Sequence, residues 1–370
     1  MRGASLNASS SWSASAISGH RRRTALRLRG PIAWAGPVAT VGVLMLDIDN
    51  SHILVIGGAG FIGSHIVDQL LDEPVARITV LDNYVRGTRD NLANAVGDER
   101  VELVEGSVTD RALLERLMED ADYVFHLAAL WLFECVHEPR KALEHNVVGT
   151  YNVVEAAHAA GVKKVVYSSS ASVYGDAVVT PMTEEHPFNN RTMYGATKIA
   201  GEQFFRAFNE QYGLDYAGMR YMNVYGPRMD YKGAYVSVIM KVLDKIDAGE
   251  PPVIFGDGSQ AYDFVHVSDV ARANILALKS ESSTDRNYNV GTGVKTTIKE
   301  LVDALLEITG SDVKPEYRPQ EQMFVTHRVG STENAVRDLG FAAHTPYEDG
   351  LRSVVEWRRS DQRRALAGQA

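Results

Sequence analysis

Two pieces of the chain have the residue types to move a proton. Tyr194-Gly-Ala-Thr-Lys198 sets a phenol and an ammonium four positions apart, so on a helix they share one face. A neighbouring cation favours phenolate, and a tyrosine that would titrate near ~10 in water becomes a base closer to neutrality. The pair gains meaning from what precedes it. Val165-Val-Tyr-Ser-Ser-Ser170-Ala-Ser172-Val-Tyr-Gly175 reads as a strand ending in hydroxyls, and the carboxyl ends of parallel strands are where α/β sheets bind ligands. From there Ser170 can hydrogen-bond a ligand hydroxyl and relay its proton to Tyr194.

A third piece binds rather than reacts. The apolar run His52–Gly57 leads into Gly57-Gly-Ala-Gly60-Phe61-Ile62-Gly63 and a helical pattern. A strand, a glycine turn and a helix let backbone approach a pyrophosphate, whose charge rests on the helix N-terminus. The spacing is Gly-x-x-Gly-x-x-Gly rather than Gly-x-Gly-x-x-Gly. Asp82 follows Gly63 by 19 residues, near the ~20 expected of the acid that binds an adenosine ribose. An acid there repels a 2′-phosphate, so NAD is expected rather than NADP, with Arg86 and Arg89 as the local argument against. No metal centre is expected. The 11 histidines show no paired ligand spacing, and Cys135 is the chain's one cysteine, which also excludes an internal disulfide and suits a reducing, cytoplasmic setting.

These pieces need a scaffold, and the pattern supplies one. Short apolar runs recur at Arg77–Asp82, Val101–Glu105, Ala121–His126, Lys163–Ser168 and Asp215–Tyr221. Helical stretches lie between them at Phe61–Leu71, Asp110–Met118, Pro139–Ala160 and Tyr194–Tyr212. Alternation of this kind predicts an α/β fold, a Rossmann-type doubly wound parallel sheet, with a smaller C-terminal substrate-binding region. The expected division is a disordered basic and apolar leader at 1–46, an NAD-binding domain at 47–225, and a substrate-binding region at 226–358. That last region is partly interleaved with the sheet and has helices near Tyr235–Ala248, Ser268–Lys279 and Thr297–Thr309; a tail follows at 359–370.

Charge supports the division. The chain carries 38 Lys+Arg against 47 Asp+Glu, a net −9. Residues 1–46 hold six arginines and no acid, which leaves −15 for the rest. A body that acidic is not expected to bind nucleic acid. Pro31–Leu46 is apolar but short and broken by Pro31 and Pro37, whereas a membrane span needs about 20 apolar residues. No membrane contact is expected. A chain beginning at Met45, just before the first strand, should be able to fold.

Further motifs follow in order: Phe125-His-Leu127-Ala128-Ala129, Arg220-Tyr-Met-Asn223-Val-Tyr-Gly-Pro-Arg228, Val253-Ile-Phe255-Gly-Asp-Gly258 and Asp263-Phe-Val-His-Val-Ser-Asp269. With the glycine turn, the Ser170 segment and Tyr194–Lys198, the set resembles the extended short-chain dehydrogenase/reductase family, in particular its NAD-dependent nucleotide-sugar epimerases and dehydratases. The resemblance runs from about Ile53 to Trp357. It implies that Tyr194 is the catalytic base, Lys198 its partner and a ligand of the nicotinamide ribose, and Ser170 the relay. By the same resemblance Gly57, Gly60, Phe61, Ile62, Gly63, Asp82, Asn83, Ser107, Val108, Leu127, Ala128 and Ala129 contact NAD. Asn223 meets the substrate diphosphate or sugar and Phe255 packs near the nucleotide base. It implies a homodimer through a four-helix interface, to which Pro139–Ala160 and Tyr194–Tyr212 would contribute.

The reaction follows from what is missing. Dehydratases of this family carry Asp-Glu where this chain has Ala171-Ser172, and related decarboxylases keep a Glu at the second position. Without either carboxyl, reversible oxidation and reduction at one carbon remains. The expected activity is C4 epimerisation of a UDP-sugar through a transient 4-keto sugar. UDP-glucuronate is the expected substrate, with Ser172 and Arg228 as donors to its carboxylate. UDP-glucose and UDP-N-acetylglucosamine are the alternatives. An exchangeable-cofactor nucleotide-sugar oxidoreductase and a non-catalytic NAD-binding regulator are further readings, and the intact Tyr-Lys pair speaks against the second. Three departures from the family pattern stand out. Tyr262 replaces an arginine that grips the diphosphate, so Arg328 or Arg318 is expected to supply that charge. Ser107 replaces an acid near the adenine, shifting that contact towards Val108 backbone. Asp230 follows Arg228 where uronate epimerases carry a second arginine. Trp131 and Phe133 either wall the sugar pocket or pack in the core.

Overall fold

The fold is that of a computed structural model, which describes residues 43–231, 237–319 and 327–367. The leader up to residue 42 therefore lies outside the described residues, as do part of the segment before the helix expected from Tyr235 and the chain's last three residues.

The first half alternates as its pattern requires. It runs β1 (His52–Ile56), α1 (Phe61–Leu71), β2 (Arg77–Asp82), β3 (Val101–Glu105), α2 (Arg111–Met118) and β4 (Tyr123–His126). Next come α3 (Leu132–His137), α4 (Pro139–Ala142), a π-helical stretch Leu143–Val148, α5 (Gly149–Ala160), β5 (Lys164–Ser170), α6 (Met193–Tyr212) and β6 (Tyr216–Tyr221). The second half is made of shorter pieces: β7 (Asn223–Tyr225), α7 (Val238–Asp247), β8 (Val253–Phe255), β9 (Ala261–Tyr262), β10 (Phe264–His266), α8 (Val267–Lys279), β11 (Arg286–Val290) and β12 (Thr296–Thr297). It ends with α9 (Ile298–Thr309), β13 (Glu316–Arg318), β14 (His327–Arg328), α10 (Glu333–Leu339) and α11 (Tyr347–Ala367).

Seven strands form one parallel sheet in the order β11-β6-β5-β4-β1-β2-β3. The order reverses between β1 and β4, the switch point at which such sheets open a crevice. β1 has no exposed residue, which is why it reads as an unbroken apolar run rather than an alternating one. The edge strand β11 comes from the C-terminal half and pairs with β6 in register Val290↔Tyr221. Three small sheets carry the remaining strands: β10-β7, β12-β9-β14 and β13-β8. Two apolar clusters cover the faces of the main sheet, and a third, built on α7, α9 and α11, supports the substrate side.

The helix expected across Pro139–Ala160 is interrupted. Its middle turn widens into the π-helical stretch, which turns Asn146 into the interior. Mid-helix π turns of this kind gather at functional sites. Asn146 Oδ1 accepts the Leu130 N–H at 2.7 Å, while its amide donates to Thr197 Oγ1 on α6 at 3.2 Å. The Pro139–Ala160 run thus grips α6 from the side. Among the described residues no helix is long and apolar enough to cross a membrane.

The boundary expected at residue 46 moves. Residues 43–46 are docked on the body: Met45 bridges Ser280 and the Glu281 N–H donates to the Leu44 carbonyl at 3.1 Å. Ile48 beyond them is fully buried in the core. Starting the chain at Met45 removes one backbone partner and should cost about 1 kcal/mol of unfolding free energy in a denaturant titration. Ile48→Ala should cost about 2–5 kcal/mol, because it opens a cavity. Equal losses in the two variants would show that the docked segment, not Ile48, anchors this edge.

Candidate active site

The glycine turn is built for close approach. Gly57 has φ +84°, and a Cβ there would fall 2.6 Å from the Ala128 nitrogen. A Cβ on Gly63 would fall 2.2 Å from the Gly57 carbonyl. The turn is held from below by Asp82, whose Oδ2 accepts the Ala59 N–H at 2.9 Å while Oδ1 accepts that of Tyr84 at 2.8 Å. Burial raises the Asp82 carboxyl above its usual range, and those backbone donors oppose the shift. α1 has no acid in its first turn, so its N-terminal field is open to a phosphate.

Above the turn lies a cleft lined by Gly57, Gly60, Asp82, Asn83, Ser107, Val108, Leu127, Ala128 and Ala129, all expected cofactor contacts. The turn's lack of room for side chains suits a pyrophosphate. Phe61 and Ile62 stand in the first turn of α1, where Phe61 packs towards the substrate-side cluster and edge-on to His65 at 6.3 Å. What they offer the cofactor is backbone. Arg86 and Arg89 do not favour NADP. Arg86 lies 3.0 Å from Asp230 and 3.6 Å from Glu134, stacked 4.8 Å over the Trp131 ring. Arg89 pairs with Glu105 at 3.8 Å.

The catalytic pieces meet at the tip of β5. Thr192 caps α6, its hydroxyl accepting the Gly195 N–H at 3.1 Å, so the helix starts just before Tyr194. α6 lies close to the sheet because a Cβ on Gly201 would meet Tyr167 Oη at 2.3 Å and one on Gly195 the Ser172 carbonyl at 2.5 Å. Ser170 stands near enough to the Tyr194 phenol to lower its pKa. Lys198 Nζ donates to the Ser168 carbonyl at 2.6 Å and sits 5.7 Å from the Tyr194 ring.

The electrostatics correct the expected phenolate. Burial pushes Tyr194 up to about 12, against the pull of its Ser170 bond and the more distant Arg328 and Arg86. Lys198 is itself buried and lowered to about 8. A cation that points at a backbone carbonyl and pays its own desolvation does little for the phenol beside it. In the protein alone Tyr194 is an acid at neutral pH. A cationic nicotinamide is the charge that this arrangement still calls for.

The expected substrate residues separate into two groups. Arg328, on β14, pairs in register with Tyr262 on β9. Its charge acts on Tyr194, and burial lowers it to about 10. Its Nε is buried with no protein partner, as is Asn223 Nδ2 on β7. Two unmet donors beside the sugar site are what a diphosphate would use. Phe255 ends β8 with half its surface covered, and Arg318, in register beside it, pairs with Glu316 at 2.9 Å. Ser172 is buried and its N–H donates to Ser170 Oγ at 3.1 Å, so it orients the relay. Arg228 points elsewhere. It adopts φ +68° and pairs with Asp68 on α1 at 2.6 Å. Trp131 and Phe133 pack edge-to-face at 5.1 Å, half-buried beside Arg86.

Several residues at the site were not anticipated. Asn146 was hidden because a π turn has no simple sequence period. Glu202 was legible in principle, since it continues the Tyr194–Lys198 face by one more turn. Cys135, buried beside Tyr194 and Lys198, is held at about 11 by burial and stays a neutral thiol. Among the described residues no cluster of His, Cys, Asp and Glu has metal-binding geometry.

A nucleotide cleft at the switch point and a Tyr-Lys-Ser set at the neighbouring strand tip define an NAD-dependent enzyme of the extended short-chain dehydrogenase/reductase class. The chain belongs to the NAD dependent epimerase/dehydratase family, which it matches over residues 53–291. It is 36% identical to a UDP-glucose 4-epimerase of Mycolicibacterium smegmatis over 310 residues, 83% of this chain and 98% of that one. The solved UDP-N-acetylglucosamine 4-epimerase of Methanobrevibacter ruminantium, in complex with UDP-N-acetylmuramic acid, superposes with a TM-score of 0.80 at 36% identity, covering 85% and 99% of the two chains. UDP-glucose 4-epimerase of Thermotoga maritima with UDP-glucose gives 0.78 at 36% identity, covering 84% and 99%.

Gly63→Ala tests the cofactor site directly. With its Cβ 2.2 Å from the Gly57 carbonyl, the turn must open, and NAD affinity by calorimetry should fall at least about 100-fold. Retained affinity would place the dinucleotide elsewhere.

Proposed function

We propose that the protein interconverts the C4 epimers of a UDP-hexose, with UDP-glucose or UDP-N-acetylglucosamine as substrate. The observation behind this reading is the placing of Ser170 and Lys198 beside the Tyr194 phenol, in a site whose next positions are Ala171 and Ser172. A relay can take one proton and return it, but no carboxyl stands at those positions to expel water or lose CO2.

Bound NAD supplies the hydride acceptor at C4 and later the donor. The protein does the rest. With Tyr194 as phenolate in the loaded site, Ser170 Oγ would take the C4 hydroxyl proton as it passes its own to the phenolate, then reverse both transfers. Lys198 fixes the ribose side of the cleft and places a cation under the phenol. Arg328, Tyr262 and Asn223 hold the diphosphate while the 4-keto sugar turns to present its other face. Retaining the nucleotide through that turn is what lets hydride return before the ketone escapes.

Arg228 shifts the choice of sugar. With Ser172 it is an expected donor for a uronate carboxylate, and it pairs with Asp68 on α1. Asp230, its expected neighbour, stands 3.0 Å from Arg86. A neutral hexose asks for neither. The relatives point the same way, since those compared above are named for glucose and N-acetylglucosamine.

We also propose a homodimer formed by α5 and α6. Their outer surface carries exposed Val148, Tyr151 and Tyr212. Tyr151 lies edge-on to Phe204 at 5.6 Å, and His158 stacks on Tyr212 at 4.5 Å. An aromatic surface on paired helices is self-complementary about a two-fold axis. The buried thiol and absence of any spanning helix among the described residues fit a cytoplasmic setting.

The substrate test is a panel of UDP-glucose, UDP-N-acetylglucosamine and UDP-glucuronate, with epimers resolved by NMR. One of the first two should equilibrate without NADH build-up. Turnover of UDP-glucuronate alone would restore the uronate reading, and steady NADH accumulation would favour an oxidoreductase. Tyr194→Phe should lower kcat by about 10²–10⁴-fold with NAD affinity nearly intact, and undiminished turnover would remove the mechanism.

A further inference from the structure

Three consecutive residues of β5 are each gripped by one turn of α6. The Ser168 carbonyl accepts Lys198 Nζ at 2.6 Å, Ser169 Oγ donates to Glu202 Oε1 at 2.5 Å, and Ser170 acts on the Tyr194 phenol. Tyr194, Lys198 and Glu202 are spaced i, i+4 and i+8, one helix face. The first two belong to the proposed chemistry. Glu202 does not.

Glu202 is also tied backwards. Its carboxylate takes Arg220 of β6 in a two-pronged pair, Nη2 to Oε2 at 2.7 Å and Nε to Oε1 at 2.9 Å. Arg220 Nη1 donates onward to Tyr174 Oη and the Glu184 carbonyl, both at 2.8 Å, and Tyr174 donates to Asn289 at 2.7 Å. Glu202 and Arg220 are 1% and 4% exposed. A buried ion pair is a poor way to stabilise a fold, because apolar residues of similar size often do as well. One that joins α6, β5, β6 and the loop after β5 at the catalytic tip is well placed to fix geometry.

We propose that Glu202, locked by Arg220, is a positioning residue that holds the serine tip of β5 against α6 and presents its negative charge to Lys198. The inference deepens the epimerase reading and rests on it for the kinetic part of its test.

The charges around Lys198 bear this out. From its own helix it faces Tyr194 and Glu202, from β5 Tyr167, from α3 Cys135 and from β4 His126. Burial keeps Tyr194, Tyr167 and Cys135 protonated and His126 neutral, at about 3. Glu202, paired to Arg220, is the carboxylate of that group, and after Cys135 it raises Lys198 against a burial that otherwise lowers it. With Lys198 at about 8, loss of that anion would release the proton at lower pH still, within the range where the enzyme works.

The test is Glu202→Gln, which keeps the volume and an oxygen for Ser169. The alkaline limb of its kcat–pH profile should move down by about one unit, with KM for the UDP-sugar nearly unchanged. Glu202→Asp should return the limb to its place at lower kcat. A Glu202→Gln profile that superimposes on that of the native enzyme would overturn the proposal. A second readout needs no substrate: the Lys198 ε-carbon titration in ¹³C-lysine-labelled, NAD-loaded protein, assigned with Lys198→Met. It should fall by about one unit in Glu202→Gln, and an unmoved titration would sink the charge role even if no sugar in the panel turns over. Should Glu202→Gln fail to fold, Ser169→Ala decides, since it leaves the ion pair and removes the grip alone. Its kcat should drop about 3- to 10-fold at constant KM, and native kcat there would overturn the positioning role.

Discussion

The site depends on one constraint: a phenol, an ammonium and a hydroxyl must be kept together where the sheet ends and water is excluded. Each group alone would prefer solvent, and burial pushes each towards its neutral form. The chain meets the constraint by laying one face of α6 along the tip of β5, close enough that Gly195 and Gly201 have no room for a side chain. Thr192 sets where the helix begins, Asn146 braces it from the π turn, and Glu202 locks its second turn to the sheet. Precision of this order matters because a displacement of an ångström in the reacting groups can cost two powers of ten in rate.

The acidic body poses a second problem. A net −15 beyond residue 46 repels both NAD and a nucleotide diphosphate at long range, though screening confines that repulsion to about 10 Å at ordinary salt. Attraction must therefore be local. The N-terminus of α1, Lys198 and the buried Arg328 supply it, and the Arg328 Nε has no protein partner among the described residues. Other arginines near the cleft are neutralised. Arg86 has Asp230 and Glu134, and Arg228 has Asp68. Cationic charge is thus concentrated where phosphates would lie and cancelled elsewhere.

Sequence reasoning reached the scaffold and the reacting groups because both leave local signatures. Buried strands such as His52–Ile56 are continuous apolar runs, and the Tyr194–Lys198 spacing needs only a helix to acquire meaning. It failed where long-range packing decides. Arg228 follows a motif that faces the ligand, yet its left-handed backbone turns the side chain onto α1. The leader's boundary slipped because docking of residues 43–46 depends on a β-bridge to Ser280, far off in the chain. The expected phenolate rested on Lys198 reinforced by the cofactor's charge; Lys198 is turned to the Ser168 carbonyl, and in the protein by itself burial wins.

That last reversal has a consequence for how such a site avoids idle chemistry. A phenolate standing in the protein before the cleft is filled would be a strong base with nothing to deprotonate. Holding Tyr194 near 12 in the protein alone keeps it protonated until a positive ring arrives beside it. At the effective dielectric of protein sites, a unit charge 4–5 Å away is worth about 3–4 kcal/mol, or two to three pKa units. A charge of that size lowers the phenol towards the range where it can act as a base. The protein's own donors and cations then close the remaining gap only in so far as they stay in register with the phenol. On this account the β5–α6 contact sets the reactivity of the base as well as its position, because Ser170 and Lys198, the groups nearest the phenol, are mounted on its two sides.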